Sequence, residues 1–220
     1  MRTVIFDLDG TLVDTGADLI AAANACFRVL GHGDMLHPVG DCTAAFAGGR
    51  AMLRLGFERL GRPWSDADID AQYPFLLESY AANIDRHSRV YPGAEAAVER
   101  LRAAGYAVAI CTNKPARLAE LLLFRLGFRD AFGALVGADT LPVRKPDPAP
   151  LREAVRLAGG DPRRVLMVGD TITDRDTARA AGVPVALVTF GPEGRGVERL
   201  QPDALLDSYE ALYDLAERLT

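Results

Sequence analysis

From Pro92-Gly93 onward the chain alternates short apolar runs with helix-length amphipathic segments, and this alternation narrows the fold more than any other feature. Ala107–Cys111, Leu135–Val136, Val165–Val168, Val185–Val188 and Ala204–Leu206 read as strands, and all five runs are wholly apolar. The helical segments between them are closed by Gly105, Gly127, Gly159-Gly160 and Gly182, residues that end helices by taking the left-handed position. Strands and helices in this rhythm predict a parallel sheet covered on both faces. One further strand, Thr3–Phe6, stands apart at the N-terminus. Between about Thr15 and Arg86 no strand pattern is found: Leu19, Ala22, Ala23, Cys26 and Leu30 fall at helical spacing before Gly31, and helices are predicted over 49–60 and 66–84 around the turn Gly61-Arg62-Pro63. The expected architecture is α/β: a Rossmann-like parallel-sheet core of residues 1–14 and 87–220, with a helical cap of residues 15–86 inserted after the first strand.

Composition excludes several function classes. A net charge of −5 offers nothing to nucleic acid or to an anionic membrane, and no apolar run is long enough to span a bilayer. No signal-peptide pattern can be drawn before Thr3–Phe6, so the expected location is the cytoplasm. Cys26, Cys42 and Cys111 show no paired spacing and read as reduced thiols. His32, His37 and His87 lack metal-ligand spacing and read as loop or surface residues. The inserted helical cap suits a small metabolite as the expected partner, with the chain a monomer or a homodimer. The glycine-rich, charged segment 189–202 reads as a loop with no evident role, and a final helix is expected from Ser208.

In open parallel sheets, ligands bind beyond the carboxyl ends of the strands. The polar residues at those ends are Asp7 and Asp9 after the first strand, Thr112, Asn113 and Lys114 after the second, Lys145 in the loop after the third, and Asp170 and Asp174 after the fourth. Of the chain's 25 basic residues only two are lysines, Lys114 and Lys145, and both fall in this set. Crowded carboxylates with oxygen ligands call for a hard cation, of which Mg²⁺ fits best. A carboxylate can serve as nucleophile or as acid and base, while an ammonium and a hydroxyl suit the oxygens of a transferring phosphoryl group. The residues therefore point to phosphoryl transfer. Singly they are less telling: Asp-x-Asp-Gly suits a turn, Thr112-Asn113 suits a helix cap, and Asp174 suits a helix N-terminus.

Asp7-Leu8-Asp9-Gly10-Thr11-Leu12, Thr112-Asn113-Lys114, Lys145-Pro146 and Gly169-Asp170-Thr171…Asp174 resemble, in order and approximate spacing, the four motifs of the haloacid dehalogenase superfamily, and the helical insertion resembles its C1 cap. The Thr-Asn-Lys form, the run Lys145-Pro146-Asp147-Pro148-Ala149-Pro150-Leu151 and Ala178-Arg179-Ala180-Ala181-Gly182 look most like the phosphoglycolate phosphatase branch. The resemblance implies that Asp7 attacks phosphorus, that Asp9 protonates the leaving alcohol and then activates water, and that Thr112, Lys145 and the backbone N–H of Asn113 bind phosphoryl oxygens. It implies Mg²⁺ held by the Asp7 carboxylate, the Asp9 carbonyl and Asp170, with Asp174 close behind. Lys114 is expected at the substrate's edge. Gly48-Gly49-Arg50 falls where the family's cap carries its specificity loop, so Gly49 and Arg50 are candidate contacts for an anionic substrate group, against the simpler reading of an exposed arginine opening a helix. The expected reaction is Mg²⁺-dependent hydrolysis of a small phosphate monoester, 2-phosphoglycolate first. A β-phosphoglucomutase-like mutase shares the motifs. A receiver-type phospho-accepting module shares the residue types, but neither the length nor the helical insertion. A cap lysine for phosphonate cleavage is absent, since residues 15–86 contain none.

Overall fold

The computed structural model describes residues 1–220. The chain begins with β1 (Thr3–Phe6) and β2 (Val13–Asp14), then runs through α1 (Gly16–Val29), α2 (Cys42–Phe46), α3 (Gly49–Arg59) and α4 (Asp66–Ala82). It continues with β3 (Arg89–Val90), α5 (Ala94–Ala103), β4 (Ala107–Cys111), α6 (Ala116–Arg125) and β5 (Ala134–Val136). The last part is α7 (Ala149–Leu157), β6 (Val165–Gly169), α8 (Ile172–Ala181), β7 (Val185–Val188), β8 (Ala204–Leu206) and α9 (Leu212–Leu219). Two compact units result: residues 1–14 with 90–220, and residues 15–89. No helix is long and apolar enough to cross a membrane.

The first unit is built on a six-stranded sheet in the order β5-β4-β1-β6-β7-β8, with every adjacent pair parallel. Counting only these strands along the chain, the order is 3-2-1-4-5-6, that of a doubly wound Rossmann-like sheet, and it reverses between β1 and β6. All four residues of β1 are buried, as its central place requires. Ile5 faces a cluster with Ala109, Met167 and Leu187, on which α7 lays Leu151, Ala154 and Val155. These three fall at helical spacing, so one apolar stripe of α7 covers that face. On alternate positions of β1, Phe6 meets the edge of the Phe132 ring. Phe6 pairs in register with both Ile110 and Val168, so the residues following three adjacent strands emerge at one level.

Segment 189–202, read from its glycines as a loop, contains a 3₁₀ helix over Gly194–Leu200. Val197 and Leu200, three apart, are buried on the sheet's apolar cluster. The final helix, expected from Ser208, opens instead with a 3₁₀ turn over Tyr209–Ala211 before α9.

The second unit is helical, α1 packing on α3 and α4. Its boundary differs from the expected residue 86. The buried carboxylate of Asp18 on α1 accepts the N–H of His87 at 2.9 Å and, from Ser88, the N–H and the hydroxyl at 2.8 Å each. Residues 87 and 88 are thereby tied to the helices. The loop before α2 is held the same way: Asn24 exchanges hydrogen bonds with both backbone groups of Leu36 at 2.9 Å, and Asp41 takes a two-pronged contact from Arg59 at 2.6 and 2.7 Å. Removing the Asp18 carboxylate leaves buried donors without an acceptor. Asp18→Ala is expected to lower the unfolding free energy by about 2–3 kcal/mol, measured by urea denaturation; a change within the scatter of surface substitutions would show that the contact does not hold the boundary.

Candidate active site

The switch point of the sheet gathers the acidic residues. The Asp7 N–H continues the ladder to the Val168 carbonyl at 2.9 Å, so its side chain stands at the mouth between β1 and β6. The chain then turns back at once, the N–H groups of Leu12 and Val13 donating to the Leu8 carbonyl at 2.9 and 3.0 Å. Leu8, buried in the core, pins this turn, while Asp9 beside it is half-buried. From β6, Asp170 follows Gly169 with only 2% of its surface exposed. Its Oδ1 accepts the Thr11 hydroxyl at 2.9 Å.

Asp174 is the third carboxylate and is fully buried. Thr171 and Asp174 form a capping box at the start of α8, in which Asp174 Oδ2 accepts the Thr171 N–H at 3.0 Å and hydroxyl at 2.7 Å. The same oxygen takes the Asp170 N–H at 3.2 Å. The turn is tight enough to need glycine before it: a Cβ on Gly169 would lie 2.4 Å from Cβ of Asp174. Asp174 Oδ1 accepts from Lys145 Nζ at 2.6 Å, and that ammonium also stands 3.0 Å from Asp7 Oδ1. One buried cation thus bridges the end of β1 and the start of α8. The Asn113 side-chain amide donates to the Lys145 carbonyl at 3.0 Å and fixes the lysine's backbone.

Charge in this cluster is unbalanced. Asp7, Asp170 and Asp174 bring carboxylate oxygens within 4.8 Å of one another, against the single ammonium of Lys145. Burial, with Asp174 and Asp9 adding repulsion against the lysine's pull, raises the Asp7 carboxyl to about 6. Burial and then the charges of Asp174 and Asp7 push Asp170 well above the ordinary carboxylate range. Burial opposes the charge on Lys145, yet Asp174 and Asp7 together override it and hold the ammonium above its usual value. Asp7 Oδ1, although ion-paired, is a buried oxygen with no hydrogen bond. An all-oxygen donor set that is short of positive charge fits a hard divalent cation.

Thr112 is buried after β4, and its hydroxyl accepts the Lys114 N–H at 3.1 Å. Lys114, expected at the substrate's edge, turns its ammonium onto Asp9 Oδ1 at 2.8 Å. Gly49 and Arg50 open α3 in the helical unit, where the Arg50 guanidinium pairs with Asp70 and lies 4.7 Å above the Tyr73 ring. His37 Nδ1 accepts the N–H of Gly40 at 3.0 Å, a local turn contact. The cysteines are free, and burial raises the Cys111 thiol to about 12.

Two supports carried no sequence signal. The Tyr209 hydroxyl donates to the Thr11 carbonyl at 2.7 Å from 198 residues away. Gly191 passes so close behind the first turn that a Cβ there would lie 2.8 Å from the Gly10 carbonyl and 3.3 Å from Asp170 Cβ. Segment 189–202 therefore backs the loop that carries Asp7 and Asp9. The Thr171–Asp174 box, by contrast, was readable from its Thr-x-x-Asp spacing.

With this geometry in view, the chain belongs to the haloacid dehalogenase-like hydrolase family, whose model matches residues 1–182. It is 42% identical to a phosphoglycolate phosphatase of Mesorhizobium japonicum, over 98% of this chain and 95% of that one. It is 39% identical to a phosphoglycolate phosphatase of Agrobacterium fabrum, over 94% and 89% of the two chains. A solved structure of a predicted phosphoglycolate phosphatase from Haemophilus somnus shares the fold with a TM-score of 0.86 at 25% identity, covering 98% and 97%.

The two jobs of Asp174 can be separated. Thr171→Ala removes only the cap and is expected to cost about 1 kcal/mol. Asp174→Ala also takes from the buried ammonium the nearer of its two carboxylates and is expected to cost about 3 kcal/mol. Denaturant unfolding of both variants checks this, and equal losses would mean that the Lys145 pair contributes nothing beyond the cap.

Proposed function

We propose that this hydrolase is a Mg²⁺-dependent phosphatase acting on a small phosphate monoester, with Asp7 as a covalent nucleophile. The observation that carries the reading is the pair of first-loop aspartates, each held by a lysine: Asp7 by Lys145 at 3.0 Å and Asp9 by Lys114 at 2.8 Å. One carboxylate attacks while the other moves protons.

In the first step an oxygen of Asp7 bonds to phosphorus as the ester P–O bond breaks, and Asp9 passes its proton to the departing oxygen. In the second step Asp9, now a carboxylate, takes a proton from water, whose oxygen bonds to phosphorus as the Asp7–phosphorus link breaks. Phosphate leaves, and both aspartates return to their starting states. The Thr112 hydroxyl, the Asn113 N–H and the Lys145 ammonium hold the phosphoryl oxygens, where charge builds during transfer. Asp7, the Asp9 carbonyl and Asp170 would hold Mg²⁺, which when bound offsets the charge of the phosphoryl oxygens. Asp174 stands behind them, since Lys145 and the cap of α8 already occupy its two oxygens.

The relatives' names point to 2-phosphoglycolate, converted to glycolate and phosphate, as the substrate. Gly49 and Arg50 are the candidate contact for its carboxylate, which would take the place Asp70 now holds on the guanidinium.

The test is phosphate release from 2-phosphoglycolate, glycerol phosphates and β-glucose 1-phosphate, with Mg²⁺ and with excess chelator. Release from one favoured ester is expected, lost on chelation and abolished in Asp7→Asn. Asp9→Asn should lower kcat by on the order of 10²–10⁴, the usual worth of a positioned acid and base. Near-normal turnover in either variant would refute the assigned roles.

A further inference from the structure

We propose that Tyr209 is a positioning residue for the candidate cation site: by holding the Thr11 carbonyl it aims the Thr11 hydroxyl at Asp170, and so sets how tightly a divalent cation binds there. The inference rests on the reading of Asp170 as a cation ligand and extends it to a residue 198 positions from the turn it supports.

The first argument is what the tyrosine hydroxyl costs and where it is placed. Tyr209 is 1% exposed. Its ring tilts against Phe190 at 5.2 Å, and Phe190 lies at the same distance from Tyr91. A phenylalanine would fill this aromatic layer equally well. A buried hydroxyl is costly unless it finds a partner, and here the partner is the Thr11 carbonyl at 2.7 Å. That carbonyl belongs to the turn that carries Asp7 and Asp9. The other side of the residue is held more loosely, its N–H reaching the Leu8 carbonyl at 3.4 Å. Gly93 lets the chain pass close to the base of the ring, where a Cβ would lie 3.3 Å from Tyr209 Cβ. The tyrosine is therefore the firmer tether, and it is itself packed in place.

The second argument is the route from that carbonyl to the cation ligand. Thr11 is fully buried, and its hydroxyl donates to Asp170 Oδ1 at 2.9 Å. A β-branched side chain is stiff at χ1, so placing the threonine backbone places its hydroxyl. The hydroxyl in turn steadies the rotation of the carboxylate, whose own backbone N–H is tied to Asp174 Oδ2 at 3.2 Å. Carboxylates that ligate metals are oriented by such bonds, and losing one weakens metal binding by roughly 10–100-fold. Gly191 closes the same corner, where a Cβ would lie 3.3 Å from Asp170 Cβ. Tyr209, Thr11 and Asp170 form one line of contacts into the acidic cluster.

The test reads cation affinity rather than turnover. Mn²⁺, a hard divalent cation with an EPR signal, is titrated into metal-free protein and then displaced by Mg²⁺. The proteins are wild type, Tyr209→Phe, Thr11→Val, the double variant, Thr11→Ser and Asp170→Asn. With the number of sites fitted, each dissociation constant refers to the folded fraction, so a loss of stability alone does not move it. Thr11→Val is expected to weaken binding by roughly 10–100-fold. Tyr209→Phe acts through one intervening residue and is expected to weaken it by roughly 2–30-fold. In the Thr11→Val background the tyrosine hydroxyl has no route left, so the double variant should bind like Thr11→Val alone. Thr11→Ser keeps the hydroxyl but frees its rotation. An intermediate loss is expected there, and it provides the measurement if Tyr209→Phe does not fold. Unchanged affinity in Tyr209→Phe or Thr11→Ser, or losses that multiply in the double variant, would overturn the proposal and leave Tyr209 as scaffold. If Asp170→Asn binds as wild type does, the reading of Asp170 as a ligand fails, and the role of Tyr209 fails with it for that separate reason.

Discussion

The ammonium of Lys145, buried between Asp7 and Asp174, is the contact on which the geometry of the candidate active site depends. It lies 2.6 Å from one carboxylate and 3.0 Å from the other, joining the central strand to the first turn of α8. Three carboxylates with oxygens within 4.8 Å of each other repel strongly where they are largely buried. Without the lysine no ammonium would face the cluster, and only neutral hydrogen bonds would hold it. With it, two of the three negative charges face one cation, and the third, on Asp170, is steadied by the Thr11 hydroxyl. The remaining deficit of positive charge suits a divalent cation.

The sheet supplies what the lysine needs. Because strand order reverses between β1 and β6, no connection crosses the mouth there, and the level register of Phe6 with Ile110 and Val168 delivers three polar loops to one plane. Behind that plane the packing is dense. Leu8 is fully buried beneath the first turn, Tyr209 holds the Thr11 carbonyl, and Gly191 closes against Gly10. A loop of only a few residues can then carry two carboxylates with different partners. Each of the chain's two lysines ends on one of them, Lys145 on Asp7 and Lys114 on Asp9.

Much of this was legible because it is written locally. Burial on both faces makes parallel strands near-continuous apolar runs, so all six strands of the main sheet stood out. The polar residues that end those strands named the chemistry. Contacts between distant polar groups leave no such trace. The hold of Asp18 on Ser88 spans 70 residues, and it moved three residues from the expected core into the helical unit. The pairing of Lys114 with Asp9 was equally invisible, since nothing in Thr-Asn-Lys says where the ammonium points. Segment 189–202 was misread for a different reason: its glycines and charges signal a loop, while Val197 and Leu200 bury at the three-residue spacing of a 3₁₀ helix.

The central claim is that Asp7 carries the phosphoryl group between two steps. Its most direct test is an acid quench of the enzyme during turnover of a phosphate-labelled ester, followed by mapping of the labelled peptide. The account predicts a label on Asp7 that survives acid and is released by hydroxylamine, as an acyl phosphate is. Steady phosphate release with no label ever on the protein, or a label on any other residue, would contradict it.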